Sequence, residues 1–235
     1  MTLDQVMAQL EAMGSEQTRK TFRNHGAPES MFGVKVGDMK TIVKKVKTDQ
    51  ALAEDLYATG NSDAMYLAGL IADPSSMSPD LLDRWARGAT WHMLSESTVA
   101  WVAAESPHGW EMGLRWIDDP DPQVASSGWA ALAGVVALRP DGALDLDALR
   151  ALLERVAREI HDAPNRVRYT MNGFVIAAGT YVAPLSAEAR RIGAAIGPVR
   201  VNMGNTACKV PSAPEMIDKV AGMGRVGQKR KSVRC

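Results

Sequence analysis

Two tryptophans, a histidine and a carboxylate lie within one short stretch near the middle of the chain. Apolar residues recur at helical spacing between residues 90 and 105, so Trp91 and Trp101 share one face of a predicted helix. His92 and Glu96 lie at the edge of that face, and an imidazole and a carboxylate are side chains that can do acid–base chemistry. Aromatic residues at helical spacing also commonly belong to a core. Two interpretations are therefore open: a functional face, or core packing beside a solvated Glu96.

A second group of polar side chains lies in residues 161–174. Arg166, Tyr169, Asn172 and Gly173 follow one another at i, i+3, i+6 and i+7, so they share one helical face. A glycine inside a helix costs about 1 kcal/mol relative to alanine, which implies close packing or a ligand at that position. The alternative is helix–helix packing through Gly173, with the polar groups satisfied internally. We predict that this face and the face of Trp91 and Glu96 converge on one surface.

Two segments carry clusters of basic residues. One is the polar side of a predicted helix at 38–47, and the other is the tail that follows residue 223. Such clusters are often only solvated, but they can also contact phosphates. Together with the polar face of residues 161–174, these clusters give the candidate nucleic-acid contacts Lys40, Lys44, Lys45, Arg166, Arg168, Tyr169, Asn172, Lys229, Arg230 and Lys231. For the tail, a disordered and merely solubilising end is the alternative.

Several catalytic motifs fail on their context. Residues 222–227 match G-x-G-x-x-G, but they follow a predicted helix and leave too little chain for the helix that a dinucleotide site needs. The four histidines have no metal-ligand spacing, and no serine lies in a G-x-S-x-G elbow. We expect a half-buried structural role for Cys208. The sequence therefore predicts neither a metal nor a cofactor.

Composition is that of an ordinary globular chain. The 235 residues are 46% hydrophobic and carry no net charge. The charge is uneven: residues 1–50 have 8 basic and 6 acidic side chains (+2), residues 51–199 have 11 and 19 (−8), and residues 200–235 have 8 and 2 (+6). Neither a signal peptide nor a membrane span is indicated, and two cysteines make no disulfide framework. We expect a cytoplasmic, monomeric protein with no membrane partner.

Helical periodicity dominates the chain, and strand signals are scarce. From residue 38 the predicted helices fall into pairs at 38–58, 62–88, 91–117, 122–161 and 165–196, separated by turns rich in Gly, Pro, Asp and Ser. Such pairs have the size of helical repeats. The sequence predicts an all-α, right-handed superhelical solenoid of HEAT-like antiparallel helix pairs, with one domain at 1–223 and a basic tail at 224–235.

The chain resembles a known family at several places. These are residues 33–40 (GVKVGDMK), residues 56–74, the Trp91 helix, residues 161–174 and the basic tail. All of these are similar to the DNA alkylation repair family, whose members are HEAT-like repeat solenoids and include alkylpurine DNA glycosylases. The resemblance covers most of residues 20–235.

The resemblance also implies site residues. The active glycosylases have two tryptophans that contact the nucleotide, an aspartate that stabilises the sugar cation, and an arginine that holds the backbone. Trp91 matches the first tryptophan, and the aspartate position falls on Ser95, with Glu96 beside it. The arginine falls around 126–127, where this chain has two serines, and the second tryptophan falls near 173–174. The catalytic candidates are thus Trp91, Ser95 and Glu96.

These departures leave competing functions open. The first is a glycosylase that releases alkylated purines from duplex DNA, with Glu96 in place of the missing aspartate. The second is a nucleic-acid- or protein-binding HEAT-repeat module without bond cleavage. A third is a small-molecule enzyme that uses His92, Glu96, Tyr169 and Asn172. Loss of a carboxylate next to a developing sugar cation removes a large electrostatic contribution to catalysis, which favours the binding module.

Overall fold

The protein is helical throughout the part described by a computed structural model, residues 1–234. That part has thirteen α-helices and no strand. The helices are α1 Leu3–Met13, α2 Glu16–Asn24, α3 Val36–Val46, α4 Gln50–Ala58, α5 Ser62–Ile71, α6 Pro79–Gly88, α7 Ala100–Glu105, α8 Gly109–Trp116, α9 Pro122–Leu138, α10 Leu146–Glu159, α11 Asn165–Tyr181, α12 Ser186–Ile196 and α13 Ala213–Gly222. A π-helical segment, Leu94–Val99, leads directly into α7.

Each predicted pair contributes its first helix to an inner layer and its second to an outer layer. The inner layer is α3, α5, the π segment with α7, α9 and α11, and each of these packs on the next. The outer layer is α4, α6, α8, α10 and α12, while α13 packs on α11 and α12 at the end of the stack. The predicted all-α solenoid of antiparallel helix pairs is confirmed.

Sequence composition explains the two layers. The inner helix α9 contains no charged residue and is buried along most of its length, because it is covered by neighbours on several sides. Outer helices such as α6 and α10 are strongly amphipathic, with one apolar face toward the inner layer. Glycines allow the closest approaches: a Cβ at Gly69 would lie 2.7 Å from Thr98 Cγ2, and one at Gly128 would lie 2.7 Å from the backbone nitrogen of Ile117.

A buried carboxylate anchors the loop that precedes α3. Asp63, in the first turn of α5, accepts hydrogen bonds from the backbone N–H groups of Phe32, Gly33 and Val34 at 2.6–2.9 Å. At the other end of α3, the N–H of Asp49 donates to the carbonyl of Ile71 at 2.9 Å. The inner helices α3 and α5 therefore run side by side in the same direction. The helix begins at Val36, two residues before the predicted start at residue 38.

The end of the chain packs on the helices. Val233 is buried, and Arg234 forms an ion pair with Glu105 at 2.8 Å. The alternative of a disordered, solubilising tail is therefore wrong, whereas the division after residue 223 stays a prediction. No helix within residues 1–234 combines the length and the hydropathy needed to cross a bilayer.

Candidate nucleic-acid interface

The first turns of three inner helical segments meet at one edge of the solenoid, which we call the N-terminal edge. The Oγ of Ser95, in the π segment, donates a 3.0 Å hydrogen bond to Oε1 of Gln123 in α9. Glu96, the next residue, pairs with Arg166 in the first turn of α11. Helix N-termini carry a positive partial charge, so this edge is favourable for anions.

Glu96 and Arg166 form a buried, two-pronged ion pair. Arg166 Nε donates to Glu96 Oε1 at 2.7 Å, and Arg166 Nη2 donates to Glu96 Oε2. The guanidinium lies 4.4 Å from the ring centroid of Tyr169. The predicted convergence of these three residues is confirmed. The catalytic and binding functions given to them stay predictions.

The ion pair changes what Glu96 can do. Its side chain is only 9% exposed, and that of Arg166 is 17% exposed. Burial raises the pKa of Glu96, and the Arg166 guanidinium opposes the rise. Burial also raises the pKa of Tyr169, with a smaller contribution from the charge of Glu96. Both oxygens of the Glu96 carboxylate are engaged, so a bound sugar finds no open carboxylate here.

Ser95 and Ser126 lie together in a buried polar cluster. Their Oγ atoms are 3.5 Å apart, and both residues are fully buried between the π segment and α9. Ser126 Oγ also donates to the carbonyl of Gln123 at 3.0 Å, as does Ser127 Oγ. The positions to which the family resemblance assigns an aspartate and an arginine are thus neighbours in space, and both hold a neutral side chain.

Trp91 is a packing residue in this conformation. It is 4% exposed, its Nε1 donates to the carbonyl of His25 at 2.9 Å, and its ring lies 5.2 Å from that of Phe22. It fastens the loop after α2 to the start of the π segment. Its assignment as a nucleotide contact stays a prediction.

A cavity of about 230 Å³ opens beside these residues. It is lined by His25, Gly26, Thr90, Trp91, His92, Gln123, Asn165, Arg166, Asn202, Met203 and Gly204. Burial lowers the pKa of His92 to about 3, and the nearby Arg166 and His25 add to this effect. His92 is therefore neutral at physiological pH, and the cavity has a polar lining in which the charge of Arg166 is paired with Glu96.

Residues 198–212, which we call the arm, lie across the first turns of α11. Asn165 and Asn202 exchange two hydrogen bonds, of 2.9 and 2.7 Å. Arg168 Nη1 donates to the carbonyl of Arg200 at 3.1 Å, and Asn172 Nδ2 donates to that of Pro211 at 2.9 Å. Asn172 is therefore 3% exposed and covered by the arm.

The arm continues across the inner layer to the loop after α2. The backbone N–H of Asn205 donates to the carbonyl of Asn24 at 2.9 Å, so the arm joins the two ends of the solenoid. Its Arg200 and Lys209 are exposed. Sequence reasoning missed both residues. The signal that could have found them is two basic residues in a long stretch between two predicted helices.

Gly173 and Phe174 behave differently from one another. A Cβ at Gly173 would have no atom within 4 Å, so close packing through Gly173 is wrong and the position faces open space. Phe174 is fully buried, with its ring 5.3 Å from that of Trp129. The position that the family resemblance assigns to a second tryptophan therefore has no exposed aromatic ring.

The predicted basic residues fall into two groups. Within residues 1–234, Lys40, Lys44, Lys45, Arg230 and Lys231 are exposed and form no ion pair. Lys229 is 19% exposed, and its ammonium lies 2.8 Å from Asp141 Oδ1. The side chains of His, Cys, Asp and Glu in the same residues form no group of three that could hold a metal ion.

Comparison with known proteins identifies relatives along the whole chain. Proteins of Listeria innocua and Listeria monocytogenes, both uncharacterised, are 32% and 33% identical over 225 residues, covering 93% of this chain and 97% of each relative. A solved structure is 41% identical, with a TM-score of 0.91 and full coverage of both chains. It is described as a new family of proteins related to the HEAT-like repeat DNA glycosylases, with affinity for branched DNA structures.

Residues 6–188 match the family described as DNA alkylation repair enzyme. That match covers more than half of the chain, and the HEAT-like fold predicted from the sequence is confirmed by the solved structure. This chain belongs to the DNA alkylation repair family.

Proposed function

We propose that this protein binds branched DNA and does not release alkylated bases. Support for the ligand comes from the solved relative, which has affinity for branched DNA and aligns with this chain from end to end. Support for the absence of base release comes from the residues at the N-terminal edge.

The proposal rests on one observation: at the N-terminal edge, the carboxylate of Glu96 is not free to contact a sugar. Base release builds positive charge on the sugar, and a nearby carboxylate lowers the barrier by stabilising that charge. Ser95 is neutral and buried, and both oxygens of Glu96 accept hydrogen bonds from Arg166. The arm also covers the part of α11 that faces the edge. The free negative charge that excision needs is therefore lacking at Ser95 and Glu96 of this edge.

Phosphate contacts provide the binding energy in this proposal. Arg200 and Lys209 on the arm are exposed, and the Arg168 guanidinium donates to the carbonyl of Arg200 in the arm and to that of Ala163 in the turn before α11. Each phosphate that such a residue neutralises adds about −0.9 to the slope of log affinity against log salt. We expect modest affinity with strong salt dependence and little sequence preference, because phosphate contacts carry no sequence information.

The test compares binding and chemistry on the same protein. Fluorescence anisotropy measures affinity for a four-way junction and for a linear duplex of equal length, and base release is measured on duplex DNA that contains N7-methylguanine. We expect tighter binding to the junction and no released base. R200E/K209E should weaken binding to both DNAs, whereas the matched control R84E/R191E, which reverses two exposed arginines of outer helices, should not.

Excision of alkylated purines is the second candidate, favoured by family membership and by the position of Glu96 at the edge. Multiple turnovers of methylated DNA by the intact chain, abolished by Glu96→Gln, would establish it and overturn our proposal. Undetectable binding of the wild type to either DNA at low salt would overturn both.

A further inference from the structure

The last residues of the chain form a strap across the opposite edge of the inner layer, which we call the C-terminal edge. The strap is residues 225–234. The backbone N–H of Gly227 donates to the carbonyl of Thr180 at the end of α11, and that of Arg230 donates to Ala137 at the end of α9. Ser232 Oγ and the N–H of Val233 donate to Glu105 at the end of α7. The strap therefore crosses the ends of α11, α9 and α7 in order.

Two cations of the strap point inward, onto helix C-termini. Lys229 Nζ donates to the carbonyl of Val136 at 2.9 Å, and Arg234 Nη1 donates to the carbonyl of Ala72, just beyond α5, at 2.9 Å. Cations are favourable there because the ends of the helices carry negative partial charge. The carboxylates within reach, Asp141 and Glu105, are each paired with one of these two cations.

The other cations of the strap point outward. Arg225, Arg230 and Lys231 are exposed, and none of them forms an ion pair with a residue in the described part of the chain. The guanidinium of Arg225 donates a 2.8 Å hydrogen bond to the neutral side chain of Gln228. Lys229 and Arg234 already neutralise the partial negative charge at the helix ends. The exposed cations of the strap are therefore not needed for that purpose.

A second basic segment reaches the same edge from the other end of the chain. Lys44 and Lys45 lie in the last turn of α3, and both are exposed. The connection after α3 bonds to the carbonyl of Ile71, next to Ala72, which holds Arg234. The C-terminal edge thus joins basic residues that are far apart in sequence. Asp73, close to Arg234, has its carboxylate engaged by Ser75 and Ser76.

We propose that the C-terminal edge binds the backbone of a second duplex arm while the N-terminal edge holds the first. The two edges lie at opposite ends of α9 and α11, and each of these helices has 17 residues. At a rise of 1.5 Å per residue, the two edges are about 25 Å apart. Two separate basic surfaces on one rigid solenoid favour a ligand with two helical arms over a single linear duplex, because only the branched ligand engages both. This inference rests on the proposed function.

The test measures junction and linear-duplex affinity for two independent double variants of this edge, R230E/K231E on the strap and K44E/K45E on α3. We expect each to weaken junction binding about tenfold and to flatten its salt slope by about 0.9 for each phosphate that is no longer neutralised. Linear-duplex affinity should stay within about twofold of the wild type, because one arm can still occupy the N-terminal edge. R84E/R191E is the matched control, and circular dichroism checks that every variant is folded.

Two outcomes would overturn the inference and leave the proposed function standing. If the edge variants weaken junction and linear duplex equally, both edges contact one duplex. If neither DNA is affected while R200E/K209E weakens both, the C-terminal edge does not contact DNA. Loss of selectivity for the junction in both edge variants, with the control unchanged, is the supporting result.

Discussion

His92 should make the stability of this protein sensitive to mild acid. Its imidazole is half-buried near Arg166 and His25, and its pKa falls from 6.5 to about 3. In the unfolded chain His92 takes up a proton below about pH 6.5, whereas in the folded chain it does so only near pH 3. The contribution of neutral His92 to folding stability is therefore highest above pH 6.5 and falls as the pH drops from 6.5 toward 3. At pH 5 the loss should be at most about 2 kcal/mol.

Urea unfolding at pH 7.5 and pH 5 measures this effect. His92→Gln, which cannot take up the proton, should lose less stability between the two pH values than the wild type does. An equal loss in both proteins would show that other groups cause the acid sensitivity.

Ser95→Asp should destabilise the protein without creating a glycosylase. Ser95 is fully buried and lies against Gln123 and Ser126, so a carboxylate there would be desolvated with no cation available to it. Arg166 is already committed to Glu96. We expect a loss of roughly 2–4 kcal/mol in unfolding free energy, against about 1 kcal/mol for the matched Ser95→Ala. Base release by a folded Ser95→Asp variant would contradict our account of the edge.

Helical spacing predicts which residues of the site share a face, but not what each side chain contacts. Arg166 and Tyr169 are one turn apart, so their proximity follows from the 3.6-residue period. The ion pair of Arg166 with Glu96 joins residues 70 positions apart. Whether such a carboxylate is open or paired depends on how two helices pack, which local spacing does not determine. The packing alternative for Gly173 is wrong for the same reason.

At the scale of elements, the helix around Trp91 differs from its prediction. Spacing predicts one α-helix from residue 91 to 105, but Leu94–Val99 is π-helical. A π turn places an extra residue in each turn and rotates the side chains that follow it, and such segments are frequent at functional sites. Glu96 lies inside this segment and faces Arg166. No pattern in single-sequence periodicity distinguishes a π segment from an α-helix.

Asp63 should be the residue on which the loop before α3 depends most. It is 3% exposed, and its two oxygens accept three backbone hydrogen bonds from residues 32–34. Asp63→Ala leaves three backbone donors, two of them buried, without an acceptor, which should cost roughly 3 kcal/mol or more. Urea unfolding measures the loss, and limited proteolysis should show faster cleavage near residues 25–35.

Asp80→Ala is the control for this change, because Asp80 is an exposed residue in the first turn of α6. Equal stability of the two variants would show that water can replace Asp63 in satisfying the loop.

The arm shows why a connection can be harder to predict than a helix. The last predicted helix pair ends at residue 196, and the structure has no helix within residues 198–212. Their position over α11 is fixed by contacts such as those of Asn202 with Asn165 and of Pro211 with Asn172, which depend on the finished fold. Long-range hydrogen bonds of this kind leave no trace in local sequence.

At the scale of the whole molecule, the zero net charge hides a separation of charge. The helices of the outer layer carry exposed acids such as Asp55, Asp80 and Glu154, while the arm, the strap and the end of α3 carry unpaired bases. The acidic middle and basic ends of the sequence predict this imbalance. Only the fold shows that basic segments from both ends of the chain meet at the C-terminal edge, since their contacts join residues more than 160 positions apart.

The strap should contribute to the stability of the solenoid as well as to its charge. Arg234 links Glu105, at the end of α7, to the carbonyl of Ala72, and it is only 15% exposed. Arg234→Ala removes the ion pair and leaves a mostly buried Glu105 without its cation, so we expect a loss of roughly 3 kcal/mol in unfolding free energy. For a chain of this length that corresponds to a fall of about 10 °C in the melting temperature.

Arg225→Ala is the matched control at the exposed end of the strap, and it should change the unfolding free energy by less than about 0.5 kcal/mol. Truncation after Met223 should destabilise the protein at least as much as Arg234→Ala, because it also removes Lys229 from Asp141. A truncated chain as stable as the wild type would show that the strap is not part of the folded unit. Truncation therefore lowers both the charge and the stability of the protein, and either change could weaken DNA binding. Charge-reversal variants that stay folded, such as R230E/K231E, show which of these causes the effect.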